Sequence, residues 1–142
     1  MAGSSERGVL NRLIRKALAG EALTIYGDGR FLRDYIYVDD AAAAFLLAAA
    51  RIDAVNGQHF VIGTGHGHTL EECFTLVARR VAVKTGRHVA VRHADAQGAL
   101  SALDRRSFVA DSSRFMRSTG WRAACALPEG IDRTIEAYSC AS

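Results

Sequence analysis

The run LTIYGDGRFLRDYIYVDD, residues 23 to 40, sets Arg33 and Asp34 between two aromatic-rich stretches. A guanidinium offers a planar fork of donors that suits phosphate oxygens and keeps its charge in a cleft. Tyr35 follows two positions later, and residues i and i+2 of an extended chain share a face. An arginine and a phenol on one face suit a nucleotide diphosphate. They suit equally well a salt bridge from Arg33 to a neighbouring carboxylate, and spacing does not choose between the two.

FVIGTGHGHTLEE is the second candidate, because a strand, a glycine cluster and a helix in that order imitate a dinucleotide-binding turn. Gly63 and Gly65 supply G-x-G, but His68 stands where the fingerprint needs a small residue, and no acidic strand end follows at the required distance. The stretch reads as a structural strand-to-helix turn, with anion binding at the helix start as the functional remainder. His66 and His68 could ligate a metal, yet no third or fourth ligand stands at a supporting spacing. There is no G-x-S-x-G elbow, and no Ser/His spacing argues for a catalytic triad.

The elements that must position these residues can be read from periodicity. Val9, Leu10, Leu13, Ile14, Ala17 and Leu18 recur at helical spacing before Gly20, predicting a helix over 6–19. LTIY and DYIYV read as strands flanking the GDG turn, and QHFVIG and RHVAVRH as two more. A helix over 40–51 follows Asp39 and Asp40, which can cap it. Thr69 and Glu72 form a capping box for a helix that Gly86 closes. Asp111 caps a short helix ending at Gly120, and Pro128 opens a last helix running to about Tyr138. The expectation is an α/β (α+β-like) unit of short strands and about five helices, with a flexible N-terminus over 1–7 and one domain over 8–140.

Composition bounds the rest. A chain of 142 residues, 49% of them hydrophobic, can bury one core. Basic residues number 18 against 15 acidic and are scattered, which argues against nucleic-acid binding. Three separated cysteines, Cys73, Cys125 and Cys140, form neither a disulfide framework nor a metal knuckle, and a reducing cytoplasm fits. The longest apolar run, AAAAFLLAAA, is about half a bilayer span. The polar start MAGSSERG does not read as a signal peptide.

Three stretches together carry a family resemblance: GVLNRLIRKALAGEALTIYGDGRFLRDYIYVDDAAAAFLLA, FVIGTGHGHTLEE and RRSFVADSSRFMRSTGWRAACALPEGIDRTIEAY. The chain resembles the C-terminal, substrate-binding part of the NAD-dependent sugar-nucleotide epimerases and dehydratases, the extended short-chain dehydrogenase/reductases. The resemblance implies that the Rossmann half, with NAD and the catalytic residues, lies outside this sequence. The residues agree, since a Tyr-x-x-x-Lys pair is impossible: Lys16 and Lys84 are preceded four positions earlier by Arg12 and Arg80.

By the same resemblance, Arg33 contacts a pyrophosphate and Tyr35 stands beside it. Thr24 and Tyr26 lie on the nucleobase strand, Val9 and Leu10 open the helix near it, and Asp104 holds the ribose hydroxyls. One departure matters. Ser101 and Leu103 replace the arginine and glycine expected before Asp104. Loss of one phosphate contact of this kind costs roughly 1.5–3 kcal/mol, about ten- to a hundredfold in affinity. Arg92 and Arg105 are the nearest compensating candidates. The implied ligand is a nucleotide-diphosphate sugar, and no cofactor is expected in this chain. The resemblance makes Asp39 and Asp40 structural caps. Three readings follow: a binding portion inert by itself, a non-enzymatic assembly module whose ligand site has decayed, or a subunit completed by a separate Rossmann chain. An apolar patch on helix 40–51 predicts self-association.

Overall fold

Leu13, Ile14 and Ala17 fall on one side of α1 (Val9–Leu18), and burial of that stripe organises the larger core. The stripe packs on Leu23 and Ile25 of β1 (Leu23–Tyr26), the inward residues of an alternating strand. In the computed structural model, residues 8–95 and 106–140 are described. Within them the chain continues through β2 (Leu32–Asp34), α2 (Val38–Ala50), α3 (Ile52–Val55), β3 (Gly67–Thr69) and α4 (Leu70–Thr85). It ends with β4 (Val91–Ala94), α5 (Ser113–Thr119) and α6 (Leu127–Cys140).

The larger core joins α1 and β1 to Phe74, Val77 and Val81 of α4 and to Ile131 and Ile135 of α6. Arg80 of α4 pairs with Asp132 of α6 through both guanidinium and carboxylate forks, and Lys84 reaches Glu136 at 2.6 Å. β4 lies parallel to β1, with Leu23 opposite Val91 and Tyr26 opposite Ala94. A second core gathers Ala44, Val55, Phe115 and Trp121, with Phe60 and Ile62 packed against it.

Several sequence expectations form as read. Thr69 Oγ1 accepts the Glu72 N–H at 3.1 Å while Glu72 Oε2 accepts the Thr69 N–H at 2.8 Å, completing the capping box. Gly86 closes α4 at φ 72°, where a side chain would be strained. Asp111 accepts the Ser113 N–H at 2.9 Å from one position ahead of the α5 N-cap, which is Ser112 and not Asp111.

Three expectations are corrected. The second strand is Leu32–Asp34 and not DYIYV, because β3 opposes only those three residues. QHFVIG is not a strand: among the described residues it has no neighbour to pair with, and Gly67–Thr69 supplies the pairing strand instead. Asp39 and Asp40 do not cap α2, whose N-cap, Tyr37, makes no side-chain bond. Asp40 instead reaches across to the segment before α6. One-turn α3 brings the described helices to six, against about five expected. Among the described residues no helix is long and apolar enough to cross a membrane.

Candidate functional site

Asp34 is the anchor around which the candidate site is built. Its Oδ1 accepts the Thr64 N–H at 3.1 Å and the Thr64 hydroxyl at 2.5 Å, while its Oδ2 accepts the N–H groups of Gly65 at 2.9 Å and Ala110 at 3.1 Å. Burial pushes the carboxyl's pKa up, but the Thr64 hydroxyl and the three backbone donors outweigh it and hold the pKa below the usual carboxylate range. One charged side chain therefore ties the end of β2 to the glycine turn and to the segment before α5.

The turn needs glycine at position 63 for a close approach. A Cβ there would stand 2.3 Å from Ala110 Cβ and 2.9 Å from Asp34 Oδ2. Ser112 Oγ bonds both backbone groups of Gly63, donating to the carbonyl at 2.9 Å and accepting the N–H at 2.8 Å. We expect Gly63→Ala to lower stability by about 1–3 kcal/mol, as overpacking does. A thermal melt checks it, and an unchanged midpoint would show that Ala110 and Asp34 yield freely.

The same contacts decide what the turn can hold. The Thr64 and Gly65 amides point at Asp34, and at the start of α4 the Glu71 N–H donates to the Gly29 carbonyl at 3.2 Å. The donors that could cradle a pyrophosphate are thus taken by protein acceptors. The residues of this turn do not fit NAD.

Arg33 stands on β2 opposite His68 of β3. Its Nη1 donates to the Leu32 carbonyl at 2.9 Å and to the carbonyl of Arg106. Leu32 bonds the same incoming segment, through Ser107 Oγ at 3.1 Å and the Phe108 N–H at 3.0 Å. Arg106 is two residues downstream of Asp104 in sequence. Asp104 itself, with Ser101, Leu103 and Arg105, lies outside the described residues.

Tyr35 and Leu10 come together. Both line a cleft of about 440 Å³ between the start of α1, residues 35–38 and α6. A neighbouring depression of about 320 Å³ shares Tyr35 and Cys125–Leu127 with it and adds Thr64, His66 and His68. The Tyr35 ring stands between the two. Its hydroxyl is buried without a hydrogen bond of regular geometry and lies against the Cys73 thiol. Burial first, then the neighbouring Cys73, raises the phenol's pKa, with Arg33 opposing; burial likewise pushes the Cys73 thiol up to about 11. Neither group supplies a base near neutrality, so Tyr35 offers a wall and not a proton acceptor.

Thr24 and Tyr26 lie elsewhere, on the outward side of β1, where Tyr26 is exposed. The ladder to β4 includes Leu23 N–H to Ala90 and Gly27 N–H to Ala94, at 2.9 and 3.0 Å. Alternation therefore turns the backbone groups of Thr24 and Tyr26 toward the other edge of β1. His66 Nδ1 lies 3.0 Å from the Thr64 carbonyl, and among the described residues no group of three metal-ligating side chains gathers.

Sequence reasoning missed the cleft wall at Cys125–Leu127 and the roles of Asp34 and Asp40. The one available signal was an Asp next to the phosphate-suited Arg33.

Known proteins match this chain along most of its length. The model of the NAD dependent epimerase/dehydratase family matches residues 2–63. A UDP-glucose 4-epimerase of Mycolicibacterium smegmatis is 35% identical over 133 residues, covering 94% of this chain and 39% of the relative. A dTDP-glucose 4,6-dehydratase of Escherichia coli is 32% identical over 132 residues, covering 89% of this chain and 34% of the relative. The crystal structure of UDP-glucose 4-epimerase from Thermotoga maritima with UDP-glucose superposes with TM-score 0.79 at 30% identity, over 97% of this chain and 41% of that one. The chain thus spans about two fifths of the length of the epimerases it matches. These matches show that the chain belongs to the NAD-dependent epimerase/dehydratase family and corresponds to a C-terminal part of its members.

Proposed function

We propose that this chain is the nucleotide-sugar-binding portion of an NAD-dependent epimerase or dehydratase and is catalytically inert by itself. The observation that carries the reading is the bond from Arg33 to the Arg106 carbonyl, which brings the phosphate-suited guanidinium to the segment just after Asp104. In this reading Arg33 turns part of its donor fork to the pyrophosphate. Asp104 accepts from the ribose hydroxyls. Leu10 and the Tyr35 ring form the wall of the cleft, and the open edge of β1 at Thr24 and Tyr26 meets the base through backbone groups. Hydride transfer and NAD belong to polypeptide outside this chain, which acts as its partner. The relative from Thermotoga maritima, solved with UDP-glucose, supports the ligand class.

Calorimetric titration with UDP-glucose, dTDP-glucose, a GDP-sugar and NAD tests the reading. Saturable binding of a nucleotide sugar is expected, weakened about ten- to a hundredfold by Arg33→Ala. Arg33→Lys, which keeps the charge and loses the planar fork, should fall between. Thermal melts of both variants separate lost contact from lost fold. Absence of binding to every nucleotide sugar would leave a non-enzymatic assembly module, and tight NAD binding would sink the division of labour.

A further inference from the structure

Arg33 and His68 stand directly opposite each other in the β2–β3 ribbon. Directly opposed residues of an antiparallel pair share a face, with Cβ atoms about 4.5–5.5 Å apart. That face therefore carries a guanidinium and an imidazole side by side. His68 is half-buried and lines the depression of about 320 Å³ that Tyr35 walls. Arg33 is held in place through the Leu32 and Arg106 carbonyls. His68 is not held in this way: among the described residues its ring has no hydrogen-bond or ion-pair partner.

The carboxylates next to His68 in register and in sequence are engaged elsewhere. Asp34, opposite Gly67, accepts from Thr64, Gly65 and Ala110. Glu71 lies 3.8 Å from His93, and Glu72 accepts the Thr69 N–H at the start of α4. His66 lines the same depression, but its Nδ1 donates to the Thr64 carbonyl at 3.0 Å, and a neutral imidazole has no further N–H to give. The His68 ring, neutral or charged, has an N–H to donate. A half-buried donor beside a fixed guanidinium, with no acceptor from the protein, is matched by an anion that brings its own oxygens.

We propose that His68 is a second anchor for the diphosphate of the nucleotide sugar, donating across the ribbon to the group that Arg33 holds. Two donors on strands about 4.8 Å apart are bridged by a diphosphate, whereas a single carboxylate is filled by the guanidinium fork alone. The inference rests on the nucleotide-sugar reading for the identity of the whole ligand. The anion site itself needs neither base nor sugar, so inorganic pyrophosphate carries everything that the pair recognises.

The test titrates the full chain with inorganic pyrophosphate and with UDP-glucose, by calorimetry and by NMR of the histidine ring nitrogens. Both ligands are expected to move the His68 ring signals. His68→Ala should weaken both about tenfold or more while leaving the melting midpoint unchanged, since the ring holds no partner in the free protein. His68→Gln, which keeps a neutral donor, should fall between. Because one anion bridges both side chains, Arg33→Ala with His68→Ala should lose less than the product of the two single losses. The proposal is overturned if His68→Ala binds both ligands as the parent does, or if the two single losses multiply in full. UDP-glucose binding that leaves the His68 signals unmoved strikes this proposal alone. Pyrophosphate binding at His68 without UDP-glucose binding upholds the anion site and strikes the nucleotide-sugar reading alone. Failure of both ligands to bind overturns the two together.

Discussion

Asp34→Ala is expected to melt about 10 °C below the parent protein, a loss of roughly 3 kcal/mol. Four donors converge on this carboxylate, from Thr64, Gly65 and Ala110. Bonds to a charged acceptor contribute about 1.5–3 kcal/mol each when buried. The site is partly open, so water recovers some of the donors and the total stays well below the simple sum. Asp34→Asn keeps one oxygen and should lose about half as much. Acid provides an independent check. The native pKa is depressed, so the contribution of Asp34 is complete above the ordinary carboxylate range and disappears as pH falls through the native value. Parent and Asp34→Asn melting curves should therefore converge as pH drops below about 4. Asp132, held below its ordinary value by the Arg80 hydrogen bond, acts in both proteins and cancels in the difference. A gap that persists undiminished at low pH would show that the carboxylate's charge is not what stabilises the turn.

Asp40→Ala should be nearly as costly, about 2–4 kcal/mol, and should also weaken nucleotide-sugar binding although Asp40 lines neither depression beside Tyr35. Its buried carboxylate accepts the Ala124 N–H at 3.1 Å and the Cys125 N–H at 2.9 Å, while its carbonyl accepts the Trp121 indole N–H at 3.1 Å. The second core and the wall of the cleft at Cys125–Leu127 therefore hang on one residue of α2. Deleting the carboxylate leaves two backbone donors stranded next to a packed tryptophan. Thermal melting reads the stability change, and calorimetry with UDP-glucose reads the wall. Full affinity in a destabilised Asp40→Ala protein would show that residues 124–127 hold their place without the tether.

Local signals were strong where the determinants lie within one turn of helix or a few residues. The α1 stripe, the Thr69–Glu72 capping box, the αL glycines at 86 and 120, and Asp111 at α5 all depend on neighbours in the chain, and each was legible. Arg33 was legible as a residue suited to phosphate because its chemistry is intrinsic to the side chain. Its partner was not: Arg106 is 73 residues away in sequence. The strands failed for the same reason. QHFVIG has every local mark of a strand and no neighbour to pair with among the described residues, whereas GHT has weak marks and pairs with β2. Asp39 and Asp40 looked alike in sequence, and only the approach of residues 121–125 gave Asp40 a tether instead of a cap. By itself the sequence determined five of the six described helices, the caps of α4 and the residue types able to meet a nucleotide sugar, since these are local backbone and side-chain preferences. Tertiary structure alone decided which carboxylate clamps which loop, which strand finds a partner and where the cleft opens, because those depend on groups distant in sequence becoming neighbours in space.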